Sequence, residues 1–351
     1  MRVKLEDVCE RGSSNIKQSD IIKMSGNYPI YGASGLAGKV NFYHQEQPYV
    51  AVVKDGAGIG RTTLNPAKSS VIGTMQYLIP KKNVLPEYLF YVVSYMHLEK
   101  YYTGATIPHI YFKDYKNEEF NLDNIEKQLE IIDVLGRCKK VIEARKQELV
   151  ELDSLTKARF VELFGDPRSN PFGFEKKRLK DTCKVITGNT PSRAIAEYYG
   201  DYIEWIKTDN IVSGILNPTQ ATESLSEKGM NVGRTVEKDS ILMACIAGSI
   251  ASIGRVCITD RTVAFNQQIN AVVPEQYNIL FLYVLFQMSK DYLVEDINMA
   301  LKGILSKSKL EEKEFIIPPM DLQEQFSDFV KQVNKSKVAV QKALDETQIL
   351  F

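Results

Sequence analysis

The chain is written twice, and a fold with a single core has no place for that. VKLEDVCERGSSN near the start is echoed by KRLKDTCKVITGNT at 177–190, which sets Cys9 against Cys183. The stretch YVAVVKDGAGIGRTTLNPAKSSVIGTMQYLIP (49–80) is echoed by ILMACIAGSIASIGRVCITDRTVAFNQQINAVVP (241–274). Both copies contain I-G-R, at 59–61 and 253–255, and both close on a proline. An aromatic helical stretch follows each, EYLFYVVSYM and LFLYVLFQMS, and each half ends in a long polar run. The offset is roughly 195 residues, too long for a solenoid repeat and right for a domain followed by its own helix. At 351 residues and 44% hydrophobic, the chain has material for two cores.

The polar runs decide how the halves are built. From Asn124 to Leu163 there is no proline and a single glycine, Gly136. Apolar residues recur at Ile131, Leu135, Cys138, Ile142, Leu149, Leu152 and Leu155, close to the spacing that places them on one helical face. The second run has Phe326, Phe329, Val333, Val340, Ala343 and Leu350 in the same register, with Arg145 and Ser336 interrupting the two seams. A helix of about 40 residues spans about 60 Å and cannot bury such a stripe on a small domain. Packing on an external partner would cover it, but pairing the two helices as an antiparallel coiled coil is the simplest solution. The expected organisation is a first domain over 1–122, a helix over 123–164, a second domain over 165–318 and a second helix over 319–351. Such a rod would hold the domains apart about an approximate two-fold axis. The linker FGDPRSNPFGFEKK (164–177) is dense in turn formers. Short β-rich runs such as YVAVV, EWIKT, DSILMACI and INAVV mix with one or two helices, which predicts α/β domains with small mixed sheets.

Several classes are disfavoured. No run of about 18 apolar residues offers a membrane span, and MRVKLEDVCERGSS has no apolar core of a signal peptide. Five cysteines without a C-x-x-C pair suit neither a disulfide framework nor a zinc ribbon; they read as small hydrophobes in a reduced, cytoplasmic compartment. With 44 basic and 44 acidic residues the chain is not a general nucleic-acid coat, whose affinity comes from phosphate neutralisation. Any DNA reading would rest on locally focused charge and base contacts, with partners supplying phosphate contacts.

LDSLTKARFVELFGDP (152–167), TGNTPSR (187–193), EWIKTDNI (204–211), FNQQINAVVP (265–274) and FIIPPMDLQEQF (315–326) together resemble the specificity subunits of type I restriction-modification systems. YPIYGASGLAGKVNFY (28–43) is the best matching piece of the first half. The order of domain, helix, domain, helix is similar too. The resemblance implies a non-catalytic subunit that reads double-stranded DNA through two target-recognition domains. It also implies two methylation subunits, which use S-adenosylmethionine to methylate adenine N6, and two ATP-driven restriction subunits. The second helix stops at Phe351 where the first continues through LTKARFVELFG, so one dock for a partner is expected to be shortened by about ten residues.

KDGAGIGRTT (54–63) invites a nucleotide-binding reading but fails on spacing. Starting from Gly56, the third glycine position is Arg61; from Gly58 it is Thr63; and Asp55 stands where a P-loop needs its first glycine. No cofactor is expected. Gly58 and its neighbours instead let backbone approach another chain closely, flanked by Lys54 and with Arg61 presented on the loop. The second copy presents Ser252 and Arg255 in the same place. Such an arginine can fork onto guanine or clamp a phosphate, or it can stiffen a turn. Thr190, Ser192 and Arg193 on one loop, and Lys207, Thr208 and Asp209 at a strand end, are further candidate DNA contacts. Gln267 can read adenine, although Asn266, Gln267 and Gln268 equally suit a structural role; Thr74 and Gln76 occupy the corresponding stretch of the first half. Catalytic constellations are not evident. The three histidines share no metal-ligand spacing, and IPPM (317–320) is no substitute for an adenine-methyltransferase tetrapeptide. A stand-alone DNA-binding regulator is the alternative reading, with a nucleotide-binding enzyme behind it.

Overall fold

The computed structural model describes residues 1–104, 108–297 and 303–350. Two compact units divide it inside the first long helix, one holding Met1–Val141 and the other Ile142–Ile349.

The first unit is layered around the strand Tyr49–Val53. It is central in an antiparallel four-stranded sheet, between Met75–Pro80 and Thr62–Asn65, with Cys9–Ser13 on the far side of Met75–Pro80. All five of its residues are buried, so YVAVV is continuously apolar because both faces are covered. Val50 and Val52 pack with Leu89 and Val93 of the helix Pro86–Tyr95. Tyr49, Ala51 and Val53 turn the other way, onto Ile30, Val40 and Val71 of a second sheet. That sheet joins the hairpin Tyr28–Gly32 and Gly35–Val40 to Ser70–Val71, whose pairing with Tyr28–Gly32 is parallel. Arg2–Lys4 and Glu119–Asn121 pair to tie the unit's start to its end.

The second unit repeats this plan. Cys183–Thr187, Ile269–Pro274, Ile241–Ala244 and Val256–Ile258 form its antiparallel sheet in that order. Cys183 lies opposite Pro274 as Cys9 lies opposite Pro80, so the cysteines and prolines that the repeat matches take the same register in each sheet. Ile241 and Met243 face the helix Ile279–Met288, while Leu242 and Ala244 face Ile206, Val263 and Phe265 of a second, five-stranded sheet. Ile203–Ile206 and Val263–Phe265 pair in parallel there, matching the parallel pair of the first unit. Lys176–Arg178 and Glu314–Ile316 close the unit as the terminal strands close the first.

Each aromatic helix is held at its start by a glutamine on the first turn of a long helix. Gln128 is 0% exposed; its Oε1 accepts from Leu85 N at 2.9 Å and its Nε2 donates to Asn83 O and Asp123 O. Gln323 does the same work, accepting from Asn278 N at 2.9 Å and donating to Pro318 O at 2.8 Å. Each is the fourth residue of its helix, Ile125–Phe164 and Met320–Leu350. The duplicated pair was not singled out from sequence, since a lone glutamine in a charged helix looks like surface.

Within the second unit the two long helices run antiparallel. Phe160 and Phe164 lie 5.6 and 5.5 Å from Phe326, Arg159 stacks on Phe329, and Lys337 pairs with Asp153 further along. Buried Phe326, Val330, Val333, Val340 and Leu344 alternate by three and four, the heptad spacing of a coiled coil. The break in that seam is Lys337, not Ser336, which is exposed. Leu155, expected in the first seam, is 48% exposed, while Leu152 and Thr156 are half-buried. The side chain of Leu350 lies outside the described residues.

Candidate nucleic-acid interface

In both units the same backbone turn carries an arginine, and the two arginines do different things. In the first, Gly60 N donates to Val53 O and Val53 N to Arg61 O; in the second, Gly254 N donates to Ala244 O and Ala244 N to Arg255 O, all within 2.7–2.9 Å. Gly60 and Gly254 take positive φ, 79° and 75°, which glycine supplies without strain. Gly58 shares the positive φ, at 84°, and the Arg61 guanidinium lies against it. Arg61 is exposed and has no ion pair or hydrogen bond to its guanidinium among the described residues. Arg255 is half-buried; its Nε donates to Ser252 O and its Nη2 to Thr208 O, each at 3.3 Å. Ser252 spends its hydroxyl on Ser249 at 3.0 Å. The equivalence read from the sequence therefore holds for the backbone and not for the side chains.

The other candidates of the second unit converge. Gly188 N donates to Ile269 O and Asn189 N to Phe265 O, which lays the loop 188–193 across the turn 266–268. A Cβ on Gly188 would stand 2.1 Å from Asn266 O, so only glycine permits that approach. Thr190 consequently hydrogen-bonds exposed Gln267, while Asn266 is buried and bonded to Gln268, a structural part. Arg193 lies 4.4 Å over the Tyr199 ring and 5.1 Å over Trp205, and Lys207 lies 5.2 Å over Trp205 from the other strand end. Glu223 bridges them, 2.6 Å from Arg193 and paired with Lys207. Those two cations, Lys207 first, hold the Glu223 carboxyl below the usual carboxylate range. Ser192 and Asp209 are exposed and next in the chain to Arg193 and Thr208, and the Thr208 carbonyl accepts from Arg255. Glu223 and Trp205 escaped the sequence reading because nothing in ATESLSEKG marks one glutamate as the partner of two distant cations.

In the first unit the candidates disperse. Gln76 is buried and bonded to Gly12 O and Tyr115, so it fills the core rather than reading a base. Lys54 pairs with Asp55, whose other oxygen takes His109 Nδ1 at 2.7 Å. The Lys54 charge is thus largely cancelled. Thr74 is exposed and its carbonyl accepts from Lys54 N and Asp55 N, which places it beside that ion pair. Arg61 remains the one candidate cation of this unit with its charge uncompensated among the described residues.

Four of the five cysteines are buried, and burial pushes the thiols of Cys9, Cys183, Cys245 and Cys257 up to about 12. Among the described residues no group of His, Cys, Asp and Glu is placed to hold a metal ion, and no helix is long and apolar enough to cross a membrane.

The sequence model of the family described as "Type I restriction modification DNA specificity domain" matches residues 1–153 and again 171–347. The chain belongs to that family. Each match covers the layered sheets and the arginine turn of one unit. The HindI specificity subunit of the type I restriction enzyme from Haemophilus influenzae is 35% identical over 117 residues, 32% of this chain and 24% of the relative. The MjaIX specificity subunit from Methanocaldococcus jannaschii is 25% identical over 294 residues, 76% of this chain and 66% of the relative. The chain therefore spans less than two thirds of these relatives' lengths. A crystal structure of the type I system S subunit from M. genitalium shares the fold, with a TM-score of 0.64 at 14% identity, covering 100% of this chain and 93% of that one.

Proposed function

We propose that this specificity-family chain is the DNA-reading subunit of a type I restriction-modification complex, each unit reading one half of a bipartite site. The observation that carries the reading is the duplicated turn whose backbone is kept and whose side chains diverge, Arg61 free and Arg255 tied. Two scaffolds of one design with different side chains on their loops suit two different half-sites, because phosphates position a protein while base edges specify the sequence. Arg61, Thr74, Thr190, Ser192, Arg193, Lys207, Asp209 and Gln267 are the proposed DNA-facing groups. Lys54, Gly58, Thr208, Ser252 and Arg255 support them. The chemistry belongs to partners: two methylation subunits, one for each unit, and restriction subunits, all working in the cytoplasm.

The test is the methylation pattern of DNA from cells carrying the system, with and without this chain. The expected result is a chain-dependent adenine mark in a motif of two short halves separated by a non-specific gap, centred about one helical turn apart. A continuous motif would overturn the two-unit reading. Tight sequence-specific binding by the chain with no methylation partner recovered would replace it by a regulator. The mass of the co-purified complex tests the partner count.

A further inference from the structure

A cavity of about 270 Å³ in the second unit opens between the first long helix and the arginine turn, lined among others by Lys157, Asp153, Gly254, Arg255, Gln287 and Lys290. Its charges are not balanced. Lys290 Nζ donates to the carbonyls of Ala251, at 3.0 Å, and Ile253. Arg255 donates to the carbonyls of Ser252 and Thr208. Both cations are thus oriented by neutral oxygens, which fix their position without cancelling their charge. Lys157 is exposed and has no ion pair among the described residues. The acidic lining residue, Asp153, is already taken by Lys337. Burial first, and Arg255 second, lower the Lys290 pKa from its ordinary value, with Asp291 opposing them weakly, so the two cations are held together against their repulsion.

We propose that this cavity is a phosphate-binding site, taking one phosphate of the DNA backbone beside the half-site that the second unit reads. Two cations pinned in a concave wall, with a third on a long flexible stem at the rim, bring positive charge to one point of a chain with none in excess. Phosphate chemistry matches this best, since a phosphate oxygen accepts from a guanidinium and an ammonium together. Hydrogen bonding of Arg255 and Lys290 to the arginine turn means that an anion here also steadies the loop carrying Ser252. The proposal rests on the DNA-reading assignment for the source of the phosphate and on the cavity alone for its chemistry.

The experiment uses the full chain and the variants Lys157→Gln and Lys157→Glu, with Lys331→Gln, an exposed lysine of the second helix, as control. Lys157 has no partner to lose, so folding is expected to be unaffected. Binding to a mixed-sequence duplex is followed against salt, and inorganic tripolyphosphate is titrated by calorimetry. Lys157→Gln should weaken duplex binding several-fold and lower the slope of log affinity on log salt by about one, the effect of one lost phosphate contact, with sequence preference unchanged. Lys157→Glu should go further and Lys331→Gln should do neither. If the salt slope stays put but tripolyphosphate binds and is lost in Lys157→Gln, the site takes phosphate from a free polyanion instead of DNA. If neither readout responds to Lys157, the proposal is overturned. Absence of any sequence preference in the unaltered chain would count against the DNA-reading assignment instead, and the tripolyphosphate titration would still judge the cavity.

Discussion

Arg61→Ala and Arg255→Ala remove the same side chain from the same backbone turn, and the structure predicts different effects on stability for them. Arg255 contributes two charge-assisted hydrogen bonds, both at 3.3 Å and both to carbonyls that water can reach once the guanidinium has gone. At the long end of the distance range each is worth about 1 kcal/mol at most, so Arg255→Ala should cost roughly 1–2 kcal/mol. For a unit of about 200 residues that is a fall in Tm of about 3–6 °C in the transition of the second unit. Arg61 has no such partner, and its removal should change stability by less than about 0.5 kcal/mol. Its cost should appear in DNA binding, as a loss of about 1–3 kcal/mol confined to one half-site if the guanidinium reads a base. Paired thermal and urea melts, with duplex binding measured on the same preparations, separate the cases. Equal destabilisation by the two substitutions would refute the reasoning, because it would mean that Arg61 is held as firmly as Arg255.

Gln128→Ala and Gln323→Ala each strand a backbone N–H and at least one carbonyl in a buried place, and each should cost about 2–3 kcal/mol in urea unfolding. The Glu223 carboxyl has its pKa lowered by Lys207 and Arg193, so the stability it contributes is present at neutral pH and is lost as the pH falls below the ordinary carboxylate range. Glu223→Gln should therefore lower the urea midpoint at neutral pH, and the gap from the unaltered chain should close in acid. An aromatic disulfide reagent at mildly alkaline pH should titrate one thiol of five quickly, half-buried Cys138, with the four buried thiols reacting only after denaturation. Fast reaction of two or more would mean that the cores open more readily than their packing implies.

Duplication and strand character were legible in the sequence because they depend on local pattern. Cys9 and Cys183, Pro80 and Pro274, and the two I-G-R triplets recur in order, and a repeated order folds into a repeated topology. The three-four spacing of Phe326, Phe329 and Val333 likewise announced a helix with one apolar face before any partner was known. The position of Lys337 in the seam and the exposure of Leu155 emerged only once the helices met, since a helix face is defined by what covers it. Site residues divide the same way. Equivalent placing of Arg61 and Arg255 followed from the repeat, but their partners lie elsewhere in the chain: Arg255 reaches Thr208, and Glu223 takes Arg193 and Lys207 from two separate segments. Gln76 and Gln267 belong to corresponding polar stretches, and one is core while the other is exposed. Periodicity and turn chemistry act between near neighbours along the chain, whereas charge compensation and burial depend on residues that only the folded sheets bring together.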